Sequence, residues 1–282
     1  MRARAPASSA NLGPGFDALA LALSLYVEVS IEPADELRVT STGEGRDLPC
    51  DATHMAAHVA SEVLGHDRVS IEVHSDIPVG RGLGSSAALA VAAAAAAGAD
   101  DPLAVGARVD GHPENAAASV LGGLVAAADV DGVATARRLA LDAAIELVVL
   151  VPDAHLPTVE ARRALPQEVP LGDASFNLGR MGLLVAGLGD HTQLAAAATG
   201  DRLHQIPRTP LFPDAPRLLA GMLDAGALAT CWSGAGPTLL AFCTRSTTEG
   251  VRDAAEALLS AVGVPGHARI LQADVQGLTI SG

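Results

Sequence analysis

The segment from Pro78 to Ala97 constrains this chain more than any other, because it places a glycine-rich loop directly before a helix-forming run. Gly80, Gly82 and Gly84 fall within five residues, so the backbone can adopt left-handed conformations and approach a ligand closely. Nearly every residue after them is alanine or leucine, which strongly favours a helix. The segment therefore predicts a tight loop that leads into a helix.

A strand before this loop completes a pattern that predicts an anion site. Apolar and polar residues alternate over 69–74, as in a half-buried strand. Ser85 and Ser86 follow the loop and stand at the helix entrance, where the first backbone N–H groups lack intrahelical partners and the helix dipole is positive. We expect this entrance to bind an anion, and phosphate is the anion that such loops commonly bind.

Two common phosphate-binding motifs do not fit this loop. A Walker A motif needs a lysine, and all 18 basic residues of this chain are arginine, which also excludes a Schiff-base lysine. A dinucleotide fingerprint needs an acidic residue about 20 positions on, at the end of a second strand. Asp100 and Asp101 lie near that distance but follow the alanine run directly, and Asp101 with Pro102 is typical of the start of another helix.

Charge and composition exclude several kinds of partner. The net charge of −14 argues against nucleic acid and anionic membrane surfaces, which are bound through basic patches. The alanine run is too short and too weakly apolar to span a bilayer. Three scattered cysteines are too few for a disulfide framework or a zinc site, and they fit a cytoplasmic protein. An anionic substrate must therefore be held by local arginines, backbone N–H groups or a metal ion.

The full motif P-x-G-x-G-L-G-S-S-A-A resembles the phosphate loop of the GHMP kinases, the superfamily of galactokinase, mevalonate kinase and homoserine kinase. The resemblance implies that ATP binds at Pro78, Gly80, Arg81, Gly82, Leu83, Gly84, Ser85, Ser86, Ala87 and Ala88. It also implies Mg²⁺ beside Ser86, with Asp110 as the nearest acidic candidate, where relatives more often have glutamate. The segment SGAGPT at 233–238 resembles another superfamily motif, which supports the phosphate loop. Without the resemblance, a glycine-rich turn between two strands would be interpreted as a hairpin.

Two other segments resemble the homoserine kinase branch. The opening, PASSANLGPGFD at 6–17, matches its first motif almost completely, so Asn11 and Asp17 are expected in the substrate site rather than only in a structural Asx turn. The block GHPENAAASVLGG at 111–123 resembles its second motif, with His112 and Asn115 matching and Glu114 where aspartate is usual.

Two arginines are candidates for binding a substrate carboxylate. The segments TVEARRALP at 158–166 and DRLHQIPR at 201–208 resemble homoserine kinase segments whose arginines bind the carboxylate of the amino acid. This implies Arg162 and Arg208, and a guanidinium group matches two carboxylate oxygens at once. Arg163 is the adjacent alternative to Arg162, and most other arginines are expected to be solvated charges.

The resemblance implies an α+β, two-domain GHMP kinase fold. Residues 1–143 would form a ribosomal-S5-like N-terminal domain with the phosphate loop, and residues 144–282 a ferredoxin-like C-terminal domain, with the site in the cleft between them. In the second half the sequence predicts helices at Ala174–Leu188 and Thr192–Ala198, a capping box formed by Ser246 and Glu249, and a closing strand at Ala268–Ala273.

The implied activity is ATP-dependent phosphorylation of the hydroxyl group of L-homoserine to O-phospho-L-homoserine, in threonine biosynthesis. The candidate catalytic residues are Asp17, Asn115, Arg162 and Arg208, and the candidate substrate-binding residues are these four with Asn11 and His112. Asp17 is expected to orient the hydroxyl first and to act as a general base second, because a loose phosphoryl transition state needs positioning more than a strong base. Two alternatives remain: a GHMP-type kinase for another small alcohol, such as mevalonate or a sugar, and a non-catalytic ligand-binding regulator of the same fold. A homodimer is compatible with the resemblance.

Overall fold

Two β-sheets organise residues 1–281, the part of the chain that this computed structural model describes. The strands are β1 (Arg2–Ala10), β2 (Leu19–Pro33), β3 (Arg38–Gly43), β4 (Val69–Ser75), β5 (Leu124–Val130), β6 (Val133–Arg138), β7 (Ile145–Pro152), β8 (Ala229–Trp232), β9 (Leu239–Thr244), β10 (Gly266–Leu271) and β11 (Thr279–Ser281). In the first sheet the order is β11-β1-β2-β4-β3, with β5 on β2 and β6 on β5. In the second sheet the order is β10-β7-β9-β8.

Helices cover both sheets. They are α1 (Met55–Leu64), α2 (Ser85–Ala96), α3 (Pro102–Asp110), α4 (Glu114–Leu121), α5 (Thr158–Arg163), α6 (Leu171–Gly189), α7 (Gln205–Arg208), α8 (Ala215–Asp224) and α9 (Thr248–Val262). Short 3₁₀ helices occupy His191–Gln193, Ala196–Thr199 and Thr209–Leu211. Among the described residues, every helix is too short or too polar to cross a bilayer.

Helix α2 is the centre of the first half of the fold. It packs against β1, β2, α1 and α3, and every residue from Ala90 to Ala96 is buried. Small side chains allow neighbouring elements to approach a helix closely on all sides. At Gly106 of α3, for example, an added Cβ would lie 2.7 Å from the Cγ2 atom of Val91. A helix that is packed on all sides requires small side chains, which explains why α2 is rich in alanine.

Most of the local predictions are confirmed. The alternation over 69–74 forms β4, with its apolar side chains buried, and Asp101 caps α3 by accepting a hydrogen bond from the N–H of Ala104. The predicted capping box is wrong: Thr247 is the N-cap of α9 without a side-chain cap, and the Ser246 hydroxyl instead contacts the hydroxyl of Thr244.

In the second half, one predicted helix is wrong and one predicted strand is confirmed in part. The segment 192–198 forms parts of two 3₁₀ helices instead of one α-helix. The side chain of Asp190 accepts a hydrogen bond from the N–H of Thr192, and Leu194 has an extended backbone and packs against Gly187. The strand predicted at Ala268–Ala273 is present as β10, but it ends at Leu271 and does not close the fold, because β11 follows it and pairs with β1 in the first sheet. The chain enters the second sheet at Ile145, and the domain boundary at 143 stays a prediction.

The glycine loop between β4 and α2 joins the two halves of the fold. On the side of the first sheet, Ser8 donates its N–H to the carbonyl oxygen of Leu83, at 3.1 Å. On the side of the second, the Ser233 hydroxyl donates to the carbonyl oxygen of Gly82, at 2.7 Å. Gly82 has a φ of +75°, and a Cβ there would lie only 2.3 Å from the carbonyl oxygen of Ser233. The contact between the loop and the turn at 233–238 therefore requires glycine.

We expect the substitution Gly82→Ala to lower the free energy of unfolding more than Gly65→Ala does. Both glycines have nearly the same left-handed φ, +75° and +74°, but a Cβ at Gly65 meets nothing within 4 Å. Gly65→Ala should therefore cost only the conformational term of about 1–2 kcal/mol, whereas Gly82→Ala must also displace backbone. Urea denaturation of the two variants measures the difference, and equal losses would contradict the close approach.

Candidate active site

One cavity of about 430 Å³ brings together most of the residues singled out in the sequence. Its walls include Asn11, Asp17, Gly80, Arg81, Gly82, Leu83, Gly84, Ser85, Ser86, Asp110, His112, Asn115, Arg162 and Arg208. Pro78, Ala87 and Ala88 are buried and are not among its lining residues. Residues from the opening turn, the glycine loop, α4, α5 and α7 thus converge from positions spread over 200 residues of sequence.

The glycine loop presents the free end of α2 to this cavity. Gly84, at the N-cap of α2, has a φ of +65°, makes no side-chain cap and is followed by a first turn without acidic residues. The first N–H groups of α2 therefore have neither intrahelical nor side-chain cap partners, and the positive end of the helix dipole is not neutralised locally. This end of the cavity is built to bind an anion.

Acidic residues and a histidine line the cavity beyond the loop. Nδ1 of His112 lies 2.6 Å from a carboxylate oxygen of Glu114 and 3.9 Å from one of Asp110. Burial lowers the pKa of His112, but the close contact with the Glu114 carboxylate and the other negative charges around the ring outweigh burial and raise that pKa overall. Glu114 is fully buried, and its Oε2 has no hydrogen-bond partner among residues 1–281. Burying a carboxylate oxygen without a hydrogen-bond partner costs free energy, and a cation or an N–H group of a ligand would offset that cost.

Asp110 and Ser86 provide oxygen atoms of the kind that Mg²⁺ prefers. Both side chains line the cavity. Burial raises the pKa of the Asp110 carboxyl group, and the charge of Glu114 adds to the rise, although His112 and the hydrogen bonds of Asn115 and Ser86 act against it. A cation bound here would relieve that burial cost, so the two residues fit a divalent ion.

Asp17 and Arg162 form a paired contact that the sequence did not predict. Nη1 and Nη2 of Arg162 donate to the two carboxylate oxygens of Asp17 at 3.0 and 2.8 Å. Asn11 holds the turn in place, because its Oδ1 accepts the N–H of Asp17 and its Nδ2 donates to the carbonyl oxygen of Gly234. Burial alone would lower the pKa of Arg162, and the contact with Asp17 raises it instead. The guanidinium group of Arg162, which is expected to bind a substrate carboxylate, therefore binds the carboxylate of Asp17 in this structure.

Asn115 is fixed at the start of α4. Its Oδ1 accepts a hydrogen bond from the Ser8 hydroxyl at 2.8 Å, and its Nδ2 donates to Asp110 at 3.2 Å. The amide therefore links β1 to the last residue of α3. Both of its polar ends are engaged by protein groups, which supports a role in orienting neighbours.

Arg208 is only 2% exposed and is held by backbone carbonyl groups. Its Nε donates to Ala161 at 3.3 Å and its Nη1 to Gly234 at 3.1 Å, whereas its Nη2 has no hydrogen-bond partner among the described residues. Burial, followed by the nearby charge of Arg162, lowers the pKa of Arg208 to about 10, so the group is cationic at neutral pH. Arg208 therefore has one nitrogen left for a ligand.

Three features of the cavity and its immediate surroundings were not predicted from the sequence. The ring centroid of Phe16 lies 5.6 Å from Cζ of Arg162 and 5.7 Å from Cζ of Arg208. Only its position inside the opening motif could have indicated that it lies near the site. Glu114 was noted as a departure from the family motif but not as a site residue. An apolar wall is built from separate segments whose meeting no spacing indicates; it includes Val27, Leu48, Pro49, Met55, Val73, Val79 and Leu89.

Comparison with known proteins places the chain in a family. The family model "GHMP kinases N terminal domain" matches residues 52–123, and "GHMP kinases C terminal" matches residues 183–261. A homoserine kinase from Desulfitobacterium hafniense is 36% identical, with 99% of each chain covered. A homoserine kinase from Streptomyces coelicolor is 40% identical, with 99% of this chain and 94% of the relative covered.

A solved structure agrees with these sequence relatives. The crystal structure of a homoserine kinase from Cytophaga hutchinsonii superposes with a TM-score of 0.86 at 27% identity, covering 100% of this chain and 97% of that one. These matches confirm the predicted α+β, two-domain GHMP kinase fold. The chain therefore belongs to the homoserine kinase family of the GHMP kinases.

Proposed function

We propose that this chain transfers the γ-phosphoryl group of ATP to the hydroxyl group of L-homoserine and forms O-phospho-L-homoserine, a step of threonine biosynthesis. The observation that carries the proposal is a single cavity that joins an uncapped helix N-terminus to a cluster of carboxylate, amide and guanidinium side chains. Phosphoryl transfer needs such an arrangement, because catalysis consists mainly of positioning two substrates and neutralising phosphate charge. The names of the two homoserine kinases compared above support the choice of substrate.

The glycine loop and α2 are proposed to hold the triphosphate. The N–H groups of Ser85 and Ser86 supply donors at the positive end of the helix dipole, without any lysine. Arg81 adds a positive charge that is fixed beside the loop, because its Nη1 donates to the carbonyl oxygen of Pro152 at 2.5 Å. The apolar wall that includes Leu48 and Met55 suits the flat, largely apolar face of a purine base.

Ser86 and Asp110 are the residues that would hold Mg²⁺. When bound, the ion supplies positive charge that offsets the charge on the phosphate oxygens. The residues of this chain perform the remaining tasks: they bind the two substrates, exclude water from the buried end of the cavity and orient the hydroxyl group.

The other end of the cavity is proposed to bind the amino acid by charge. The partnerless carboxylate oxygen of Glu114, with Asp17 nearby in the same cavity, suits an ammonium group. The free Nη2 of Arg208 suits one oxygen of a carboxylate, while a substrate carboxylate would compete with Asp17 for Arg162. Because Asp17 is held by Arg162, it acts as an acceptor that orients the hydroxyl, and phosphoryl transfer does not need a stronger base.

Substrate choice is tested by coupled ADP release from MgATP with a panel of alcohols. We expect L-homoserine to give the highest kcat/KM, because a charged amino acid satisfies both the carboxylate and the guanidinium groups of the cavity. Higher kcat/KM with mevalonate or a sugar would assign the chain to another GHMP activity. Nucleotide binding in calorimetry without turnover of any alcohol would instead indicate a ligand-binding regulator.

The substitution Arg208→Ala should weaken the use of homoserine while leaving ATP binding nearly intact. A hydrogen bond from a charged group is worth about 1.5–3 kcal/mol, so we expect kcat/KM for homoserine to fall roughly 10- to 150-fold. Steady-state kinetics with each substrate varied in turn measures this. An unchanged KM for homoserine would remove Arg208 from the site.

Arg163→Ala is the matched control for this experiment. Arg163 is exposed on α5 and is not among the lining residues of the cavity, whereas its neighbour Arg162 is. Its replacement should leave both KM values near those of the wild type. A loss as large as that of Arg208→Ala would assign the carboxylate to Arg163 instead of Arg162.

The substitution Ser86→Ala should impair the use of MgATP. It removes one oxygen atom from the cation site but leaves the backbone N–H groups of α2 in place, so we expect a higher KM for MgATP and a requirement for more free Mg²⁺. Ser85→Ala is the control, because Ser85 shares the helix end without being assigned to the ion. A Mg²⁺ titration of activity separates the two variants, and full activity of Ser86→Ala at low Mg²⁺ would move the ion elsewhere.

A further inference from the structure

His204 is a fully buried histidine that contacts both sides of the amino-acid end of the cavity without lining it. Its Nε2 lies 2.7 Å from the carbonyl oxygen of Gly13, in the turn between Asn11 and Asp17. Its Nδ1 lies 2.9 Å from Nη1 of Arg208. One imidazole ring therefore connects the opening turn of the chain to the buried arginine.

These contacts define which nitrogen of the ring carries a proton. A carbonyl oxygen can only accept, so Nε2 of His204 must be the donor to Gly13. In a neutral ring Nδ1 then has a free lone pair, and the guanidinium of Arg208 donates to it. Burial, with the charge of Arg208 acting in the same direction and Asp201 acting against it, lowers the pKa of His204 to about 4. The ring is therefore neutral when the protein works near neutral pH.

The ring is also fixed from its other sides. Phe16 stacks on it with ring centroids 5.4 Å apart and an angle of 28° between the planes. Asp201 accepts the backbone N–H groups of His204 and Gln205 at 2.9 and 2.7 Å, which holds the start of α7. The orientation of the imidazole ring is thus determined by its packing, and the other acceptor near Nε2, a carboxylate oxygen of Asp201, lies 3.8 Å away, beyond hydrogen-bond distance.

We propose that His204 is a positioning residue that occupies Nη1 of Arg208, so that only Nη2 of the guanidinium faces the substrate carboxylate. The carbonyl oxygen of Gly234 completes this arrangement, because it accepts from both Arg208 and Asn11. The ring and this carbonyl together fix Arg208 relative to the turn that carries Asn11 and Asp17. The inference rests on the proposed function and adds a specificity role for a residue outside the cavity.

Kinetics of His204→Leu and His204→Gln tests this role. Leucine fills the space without hydrogen bonds, so we expect kcat/KM for homoserine to fall about 10-fold or more, mainly through KM, with KM for MgATP changed by less than about 2-fold. Glutamine retains a donor and an acceptor and should recover part of the loss. Equal losses for both substrates, or no recovery with glutamine, would indicate a merely structural role.

A double-mutant cycle shows whether His204 acts through Arg208. In the Arg208→Ala background the further substitution His204→Leu should change kcat/KM for homoserine by less than about 2-fold, because the group it positions is gone. A loss as large as in the wild-type background overturns the proposal. His191→Gln is the control: this histidine pairs with Asp142 at 2.6 Å, is not among the lining residues of the cavity, and should behave as wild type.

A third measurement separates this inference from the proposed function, because it needs no turnover. Nitrogen-15 NMR at pH 7 should show a neutral His204 with its proton on Nε2, and slow rotation of the Arg208 guanidinium that becomes fast in His204→Leu. A proton on Nδ1, or unchanged rotation in the variant, overturns the proposal. If wild type shows these signals but releases no ADP with homoserine, the function fails while the positioning of Arg208 stands.

Discussion

The close approach of the glycine loop to the turn at 233–238 is the contact on which the rest of this structure depends. The loop belongs to the first sheet by sequence, between β4 and α2, yet its Gly82 carbonyl group is held by Ser233 of the second half. Any side chain at Gly82 would collide with that turn. The two sheets share part of one hydrophobic core, and at the cavity they meet at a backbone that has no side chain to keep them apart.

The same turn also organises the end of the cavity that is proposed to bind the amino acid. The Gly234 carbonyl oxygen accepts hydrogen bonds from Asn11 and Arg208, two residues that the opening turn and α7 supply independently. One short stretch of backbone therefore fixes both the glycine loop and the groups that are proposed to bind the substrate. Because both sets of groups are fixed to the same backbone, they can hold a hydroxyl group in line with a phosphorus atom, as a kinase requires.

Local features could be predicted from the sequence, and contacts between distant segments could not. The loop, β4 and the cap of α3 follow from glycine spacing, alternation and an Asp-Pro pair, each of which acts within a few residues. The pairing of Arg162 with Asp17 spans 145 positions and depends on how α5 packs over the opening turn. The helix expected at 192–198 failed for a similar reason, because packing of Leu194 against Gly187 overrides the helix propensity of the alanines. Motif resemblance predicted candidate residues, most of which line one cavity, but it could not say which of them would bind one another.

The absence of lysine has a consequence for how the site responds to its surroundings. Every side chain that offers a fixed positive charge to the cavity is a guanidinium group, and even the most buried of them, Arg208, keeps a pKa of about 10. The positive charge of these arginine side chains therefore stays constant over the physiological range of pH. Any sensitivity to acidity must arise among the acidic residues and His112, and the fold already raises the pKa of Asp110 through burial and the pKa of His112 through the neighbouring carboxylates.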